Sequence, residues 1–130
     1  MDRIKFFSVS ALLLPLILAC SIASGQEKTT NDGVFTEAQV AEGEPVYTNS
    51  CGVCHDLKFY EFTLRTWTGK PLLDFWNHIL AEMPSDNPGS LYDDEYTVVV
   101  AYILSELGYP TGDVPLDPKN GMDLIKFAPL

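Results

Sequence analysis

Basic residues are scarce in this chain. Eight Lys and Arg stand against 18 Asp and Glu, for a formal net charge of −10. Such a surface offers a nucleic-acid backbone nothing to bind. Strand-like alternation of useful length is missing, and so are internal repeats, which argues against sheet-based and repeat architectures. The apolar run near the start, Val9 to Ala19, is broken by Ser10 and Pro15 and falls short of the roughly 20 residues that span a bilayer. Cysteine and histidine are rare, at three and two, so the place where they gather is informative.

That place is Cys51-Gly52-Val53-Cys54-His55. The pattern C-x-x-C-H is the attachment site of a c-type haem. The two thiols add across the two vinyl groups of the porphyrin, and the two-residue gap matches the reach between them. The adjacent imidazole then takes one axial position on the iron. Two other readings use the same residues. A thioredoxin-like C-x-x-C needs a strand before it and a βαβ context. A zinc site needs four ligands, and only His78 and Cys20 remain to supply them.

The 130 residues leave room for one small domain. Residues 1–20 read as an export signal, with Arg3 and Lys5 ahead of the apolar segment. Cys20 follows Leu16-Ile17-Leu18-Ala19, which resembles the lipobox of bacterial lipoproteins; cleavage near Ala23-Ser24-Gly25, discarding Cys20, is the alternative. The expected location is periplasmic, with a lipid anchor on Cys20 holding the protein to a bacterial membrane. Several acyl chains on one residue give stable anchoring. Residues 21–33 are small and polar and read as a flexible tether. The folded domain is expected over residues 34–130. A core of that size is marginal for its chain length, and a covalent haem supplies an apolar body to pack around. Setting aside Asp2, Arg3 and Lys5 in the leader takes the charge to −11. Acidity of this kind steers a carrier toward a partner with a basic docking face, or else simply maintains solubility.

Three helices are expected, giving an all-α domain with long loops. The first opens with Thr36 as N-cap and Gln39 three residues on, a capping box with Phe35 and Val40 as its staple, and reaches about Asn49. Pro45 inside it is a local conflict. The second runs from about Pro71 to Glu82 with Leu72, Phe75, Trp76, Ile79 and Leu80 in one stripe. The third runs from about Asp93 to Leu107, its acidic start suiting the helix dipole and Gly108 and Pro110 ending it. Residues 111–130 are punctuated by Pro and Gly and are expected to wrap the surface.

A second axial ligand comes from Met83, Met122 or His78. At 100° per residue Met83 shares the face of the second helix's apolar stripe, while His78 points nearly opposite. Pro84 turns the chain out of helix at Met83. Met122 sits in the irregular tail without such support. Met83 is therefore the candidate, alongside the reading of a core methionine. His/Met ligation fills both axial positions and raises the potential relative to bis-His ligation.

From Phe35 to Gly112 the chain resembles the class I cytochromes c, and within them the bacterial mono-haem domains that serve quinoprotein and related dehydrogenases. The matching parts are residues 35–39, the Cys51–His55 motif, the run Met83-Pro84-Ser85-Asp86-Asn87-Pro88-Gly89-Ser90-Leu91, and Ala101-Tyr102-Ile103-Leu104 with Gly108-Tyr109-Pro110. Tyr92-Asp93 where many relatives have a Ser cap, and Pro45, are departures. The resemblance implies one haem c held by Cys51 and Cys54, with His55 and Met83 as iron ligands. It also implies that the first and last helices cross at Gly43 and Tyr47 against Tyr102. Trp67 falls where such domains often place an aromatic that hydrogen-bonds a haem propionate, the other reading being a plain core Trp. Lys70 and Arg65 are further propionate partners or, more simply, solvated cations. The function implied is single-electron transfer between a periplasmic or membrane dehydrogenase or respiratory donor and a terminal acceptor such as an oxidase, with no catalytic residue. The alternative is a haem peroxidase or ligand-binding sensor with a labile Met83, which needs a distal acid–base group; the sequence offers no convincing one.

Overall fold

The computed structural model describes residues 27–130. The export signal, Cys20 and the first part of the expected tether lie outside the described residues. The element order is β1 (Lys28–Thr29), α1 (Glu37–Ser50), α2 (Leu57–Arg65), α3 (Leu72–Glu82), α4 (Asp93–Glu106), a 3-10 turn at Met122–Leu124 and β2 (Ile125–Lys126). The two short strands pair in parallel, Lys28 with Ile125 and Thr29 with Lys126.

Helix α1 begins at the expected capping box. The Gln39 N–H donates to Thr36 Oγ1, and the Thr36 N–H to Gln39 Oε1, both at 3.3 Å. It then runs unbroken through Pro45. Pro45 and Ala41, whose carbonyl loses its helical donor, are both exposed, so water can satisfy that oxygen. Helix α4 starts at Asp93, but Tyr92 is the N-cap residue; the Glu95 carboxylate accepts from the Tyr92 N–H at 2.8 Å. Its end follows expectation, with Gly108 at φ 88° just past the C-cap Leu107.

The pairing of α1 with α4 is the frame of the molecule, and Gly43 is where the two backbones meet. A Cβ there would overlap the Val98 carbonyl and lie 2.9 Å from Tyr102 Cβ, so no residue but glycine fits without a shift. One turn on, the Tyr47 ring packs on Tyr102 with centroids 5.1 Å apart. This is the crossing that the sequence resemblance implied. Helix α3 adds Leu72, Phe75, Trp76 and Ile79 to the same core.

Three expectations need correction. There are four helices among the described residues, not three. The addition, α2, is capped by the Asp56 carboxylate, which accepts from the Phe59 N–H at 3.1 Å, and buries Tyr60 and Leu64 one turn apart. Residues 28–33 are not free tether: Thr30 is fully buried, its N–H donates to the Lys126 carbonyl at 2.9 Å, and its hydroxyl accepts from the Ala128 N–H at 3.0 Å. Nor does the C-terminal segment merely wrap the surface. Leu116, Met122, Ile125, Phe127 and Ala128 are core residues. Gln39 helps to seat this segment, exchanging two 2.8 Å hydrogen bonds with the backbone of Leu116.

Candidate functional site

The Cys51–His55 motif is a tight turn between α1 and α2. Cys51 caps α1 by donating its N–H to the Tyr47 carbonyl at 2.8 Å. Its own carbonyl then accepts from the N–H groups of Cys54 at 3.1 Å and His55 at 2.9 Å. Asp56 starts the next helix at once. Two helix ends therefore fix the motif's backbone, and the Tyr47 hydroxyl adds a third hold by donating to the His55 carbonyl at 2.8 Å. The His55 ring lies on Phe59, centroids 4.5 Å apart and planes at 26°, with Tyr60 edge-on at 6.0 Å.

Met83 is the C-cap of α3. Its backbone is extended, φ −126° and ψ 151°, as expected before proline. Its N–H still donates to the Ile79 carbonyl at 2.8 Å. Its carbonyl accepts from the Tyr96 hydroxyl at 2.6 Å and from the Gly89 N–H at 3.3 Å. The second bond closes a loop at Gly89, whose φ of 72° suits glycine.

Both segments open onto one cleft of about 480 Å³. Cys51, Cys54, His55 and Met83 all line it, over a floor that includes Ile79, Val99 and Ile103. The size lies within the roughly 300–1,000 Å³ of cofactor sites, and apolar walls with a few polar groups are what such sites present. Two thiols, an imidazole and a thioether are the donor set that a covalent haem with two axial ligands requires, so the residues present fit that group. A bare metal ion fits less well: among the described residues, no group of three or more His, Cys, Asp or Glu side chains is placed to hold one. Among the described residues the C-x-x-C follows a helix, α1, and not the strand that a thioredoxin-like motif needs.

Burial pushes the Cys51 thiol above its ordinary pKa. Desolvation likewise pushes the Tyr47 phenol up to about 12, with Cys51, Tyr102 and Asp56 adding smaller contributions. Tyr60, at 6% exposed, is pushed higher than normal for the same reason. Both phenols therefore stay neutral, and Tyr47 keeps the proton it donates to the His55 carbonyl.

The other sequence candidates are elsewhere. Trp67 is not among the residues lining the cleft. Its indole packs edge-on against Phe75 at 5.3 Å and lies tilted against Phe127 at 6.4 Å, with the Lys70 ammonium 4.8 Å above the ring. The residues between α2 and α3 are tied to the C-terminal segment, Gly69 donating to the Phe127 carbonyl at 2.9 Å, which draws Trp67 toward that end. Arg65 lies at a different surface hollow beside Glu106 and Tyr109. His78 is exposed, its ring centroid 5.6 Å from that of Trp67. Met122 is fully buried in the 3-10 turn, away from the cleft. Sequence reasoning missed Tyr60 as a cleft residue, and it placed Tyr47 only as a packing residue at the helix crossing. Tyr60 and Leu64 four apart behind Asp56 signal a helix, but nothing in the spacing announces what a phenol bonds to.

A small all-α domain in which a single cleft gathers both a C-x-x-C-H turn and a methionine from a separate helix end has the arrangement of the c-type cytochromes as a class. Residues 38–103 match the family described as "Cytochrome C oxidase, cbb3-type, subunit III". The chain is also similar to cytochrome c-551 of Bacillus subtilis (strain 168), at 31% identity over 108 residues, covering 81% of this chain and 96% of that protein. No solved structure matches. The chain belongs to the mono-haem class I c-type cytochromes, and its cofactor is covalently bound haem c. It is an electron carrier and not an enzyme.

Proposed function

We propose that Cys51 and Cys54 hold the haem through thioethers, that His55 and Met83 are its axial ligands, and that the protein passes single electrons from a respiratory or dehydrogenase donor to a terminal acceptor. One observation carries this: chain segments almost thirty residues apart bring Met83 into the same cleft as the motif. When bound, the haem supplies a one-electron couple at its iron. The polypeptide's work is to hold and shield it. Ile79, Val99 and Ile103 line an apolar wall that keeps water out. A neutral, soft thioether at Met83 favours the reduced state and raises the potential. With His55 and Met83 both engaged, no position is left for a substrate. Trp67 in this reading is a packing residue. The family description that names an oxidase subunit supports an oxidase as acceptor. The excess of acidic residues favours a partner with a basic docking face.

We place the protein outside the cytoplasm, where haem c is attached in bacteria, and tether it to the membrane by acylation of Cys20. Among the described residues no helix is long and apolar enough to cross a membrane. Adding cyanide and carbon monoxide tests the electron-carrier reading against a ligand-binding haem protein. Slow, weak spectral change in both redox states is expected; rapid, saturating change in both would overturn the reading. Cys20→Ser followed by fractionation tests the anchor, and unchanged membrane association would remove it.

A further inference from the structure

Met83 and His55 differ in how their backbones are secured, and the difference singles out one residue. Each has its carbonyl held by a tyrosine hydroxyl from the central helix pair: Tyr47 of α1 bonds His55 at 2.8 Å and Tyr96 of α4 bonds Met83 at 2.6 Å. The His55 segment has further restraint, because the helix ends on either side and two thioethers fix it. Met83 has no covalent tether. The loop after it, Ser85 to Ser90, is exposed and contributes little burial. The Tyr96 bond is short for an O–H···O contact, and its ring is 2% exposed. Trp76 meets that ring edge-on at 6.4 Å. Trp76 is itself fixed, its indole N–H donating to Thr97 Oγ1 at 3.1 Å while the Thr97 hydroxyl donates to the Asp93 carbonyl at 2.7 Å.

The geometry points to Tyr96 as the positioning residue that keeps Met83 on the iron, by latching the Met83 carbonyl to α4. The inference rests on the reading of Met83 as the distal ligand. In this proposal dissociation of Met83 swings the loop away and breaks the latch, so the bond weighs on the ligated side of the equilibrium. Deleting one such net hydrogen bond shifts an equilibrium by roughly threefold to tenfold. Tyr47, holding a segment already fixed, has no comparable leverage.

Imidazole competes with Met83 for the iron, so its apparent affinity for the ferric holoprotein reads the ligation equilibrium. Tyr96→Phe keeps the ring and removes only the hydroxyl. It is expected to bind imidazole roughly threefold to tenfold more tightly than the wild type, with the haem still attached. Tyr47→Phe is expected to change little. Tyr109→Phe is the control: it deletes another phenol–carbonyl bond, to Ala128 at 2.8 Å and remote from the cleft, and should leave imidazole affinity unchanged. Wild-type affinity in Tyr96→Phe, or an equal gain in Tyr109→Phe, overturns the inference. Met83→Ala separates the two levels. If it too binds imidazole like the wild type, the ligand assignment itself fails. If it binds more tightly and Tyr96→Phe does not, only the latch fails.

Discussion

The two ends of this domain are held together by different means. At one, β1, the C-terminal segment and the start of α3 close on each other with no outside help. Thr30, Leu72 and Met122 are fully buried there, Phe127 is 2% exposed, and backbone bonds link Gly69 to Phe127 and Phe127 to Lys70 at 2.9 and 3.1 Å. At the other, Cys54 is exposed, Cys51, His55 and Met83 are half-buried, and Val53 is 74% exposed. The first end is finished by the polypeptide. The second is a frame of restrained backbones around the residues that, in the proposed reading, hold the haem. A small domain can leave part of its core to a cofactor when the rest is this well seated.

That contrast can be broken deliberately. The largest effect is expected from replacing both motif cysteines, Cys51→Ser with Cys54→Ser. Haem stain should vanish from a denaturing gel, and the cleft end should lose its cooperative unfolding. Phe127→Ala strikes the other end. A buried Phe→Ala change costs about 3–5 kcal/mol, so the unfolding midpoint of the holoprotein should fall sharply while its visible spectrum stays that of the wild type. A shifted haem spectrum would mean that the two ends are not separable. Gly43→Ala belongs to neither end. The new methyl overlaps the Val98 carbonyl at the α1–α4 crossing, and overpacking costs about 1–3 kcal/mol. Because α1 leads into the motif and α4 carries Tyr96, stability and imidazole affinity should both move.

The smallest effect concerns pH. Desolvation raises the Tyr109 phenol above its ordinary 10.0, with the neighbouring Thr30 side chain acting the other way. The fold therefore prefers the neutral phenol. Its contribution is whole below pH 10 and is lost as pH climbs through the raised value. In alkaline denaturation Tyr109→Phe should flatten the fall in stability between pH 10 and the raised value, leaving the neutral-pH spectrum alone. An unchanged slope would show that this phenol does not couple to folding.

The cleft end was the more legible from sequence, and for physical reasons. Covalent haem chemistry fixes the spacing of Cys51, Cys54 and His55, and Pro84 fixes where α3 releases Met83. The α1 capping box and the Gly43–Tyr102 crossing are similarly local or pairwise. The tail end was read poorly. A strand of two residues, Lys28–Thr29, has no periodicity to detect. Phe127 and Met122 are buried by partners supplied by α3 and β1, which Pro and Gly punctuation cannot reveal. The omission of α2 is different, because Asp56 with Tyr60 and Leu64 was a readable signal. Trp67 was drawn to the tail end by contacts with Phe75 and Phe127 that no spacing rule contains.

The central claim is that the cleft end is an electron relay closed by Met83, and one variant tests it most directly. In the ferric protein a thioether on the iron gives a weak near-infrared band. Met83→Ala should abolish that band and lower the reduction potential, with the covalent haem and the fold of the tail end retained. A variant that keeps both the band and the wild-type potential would contradict the account.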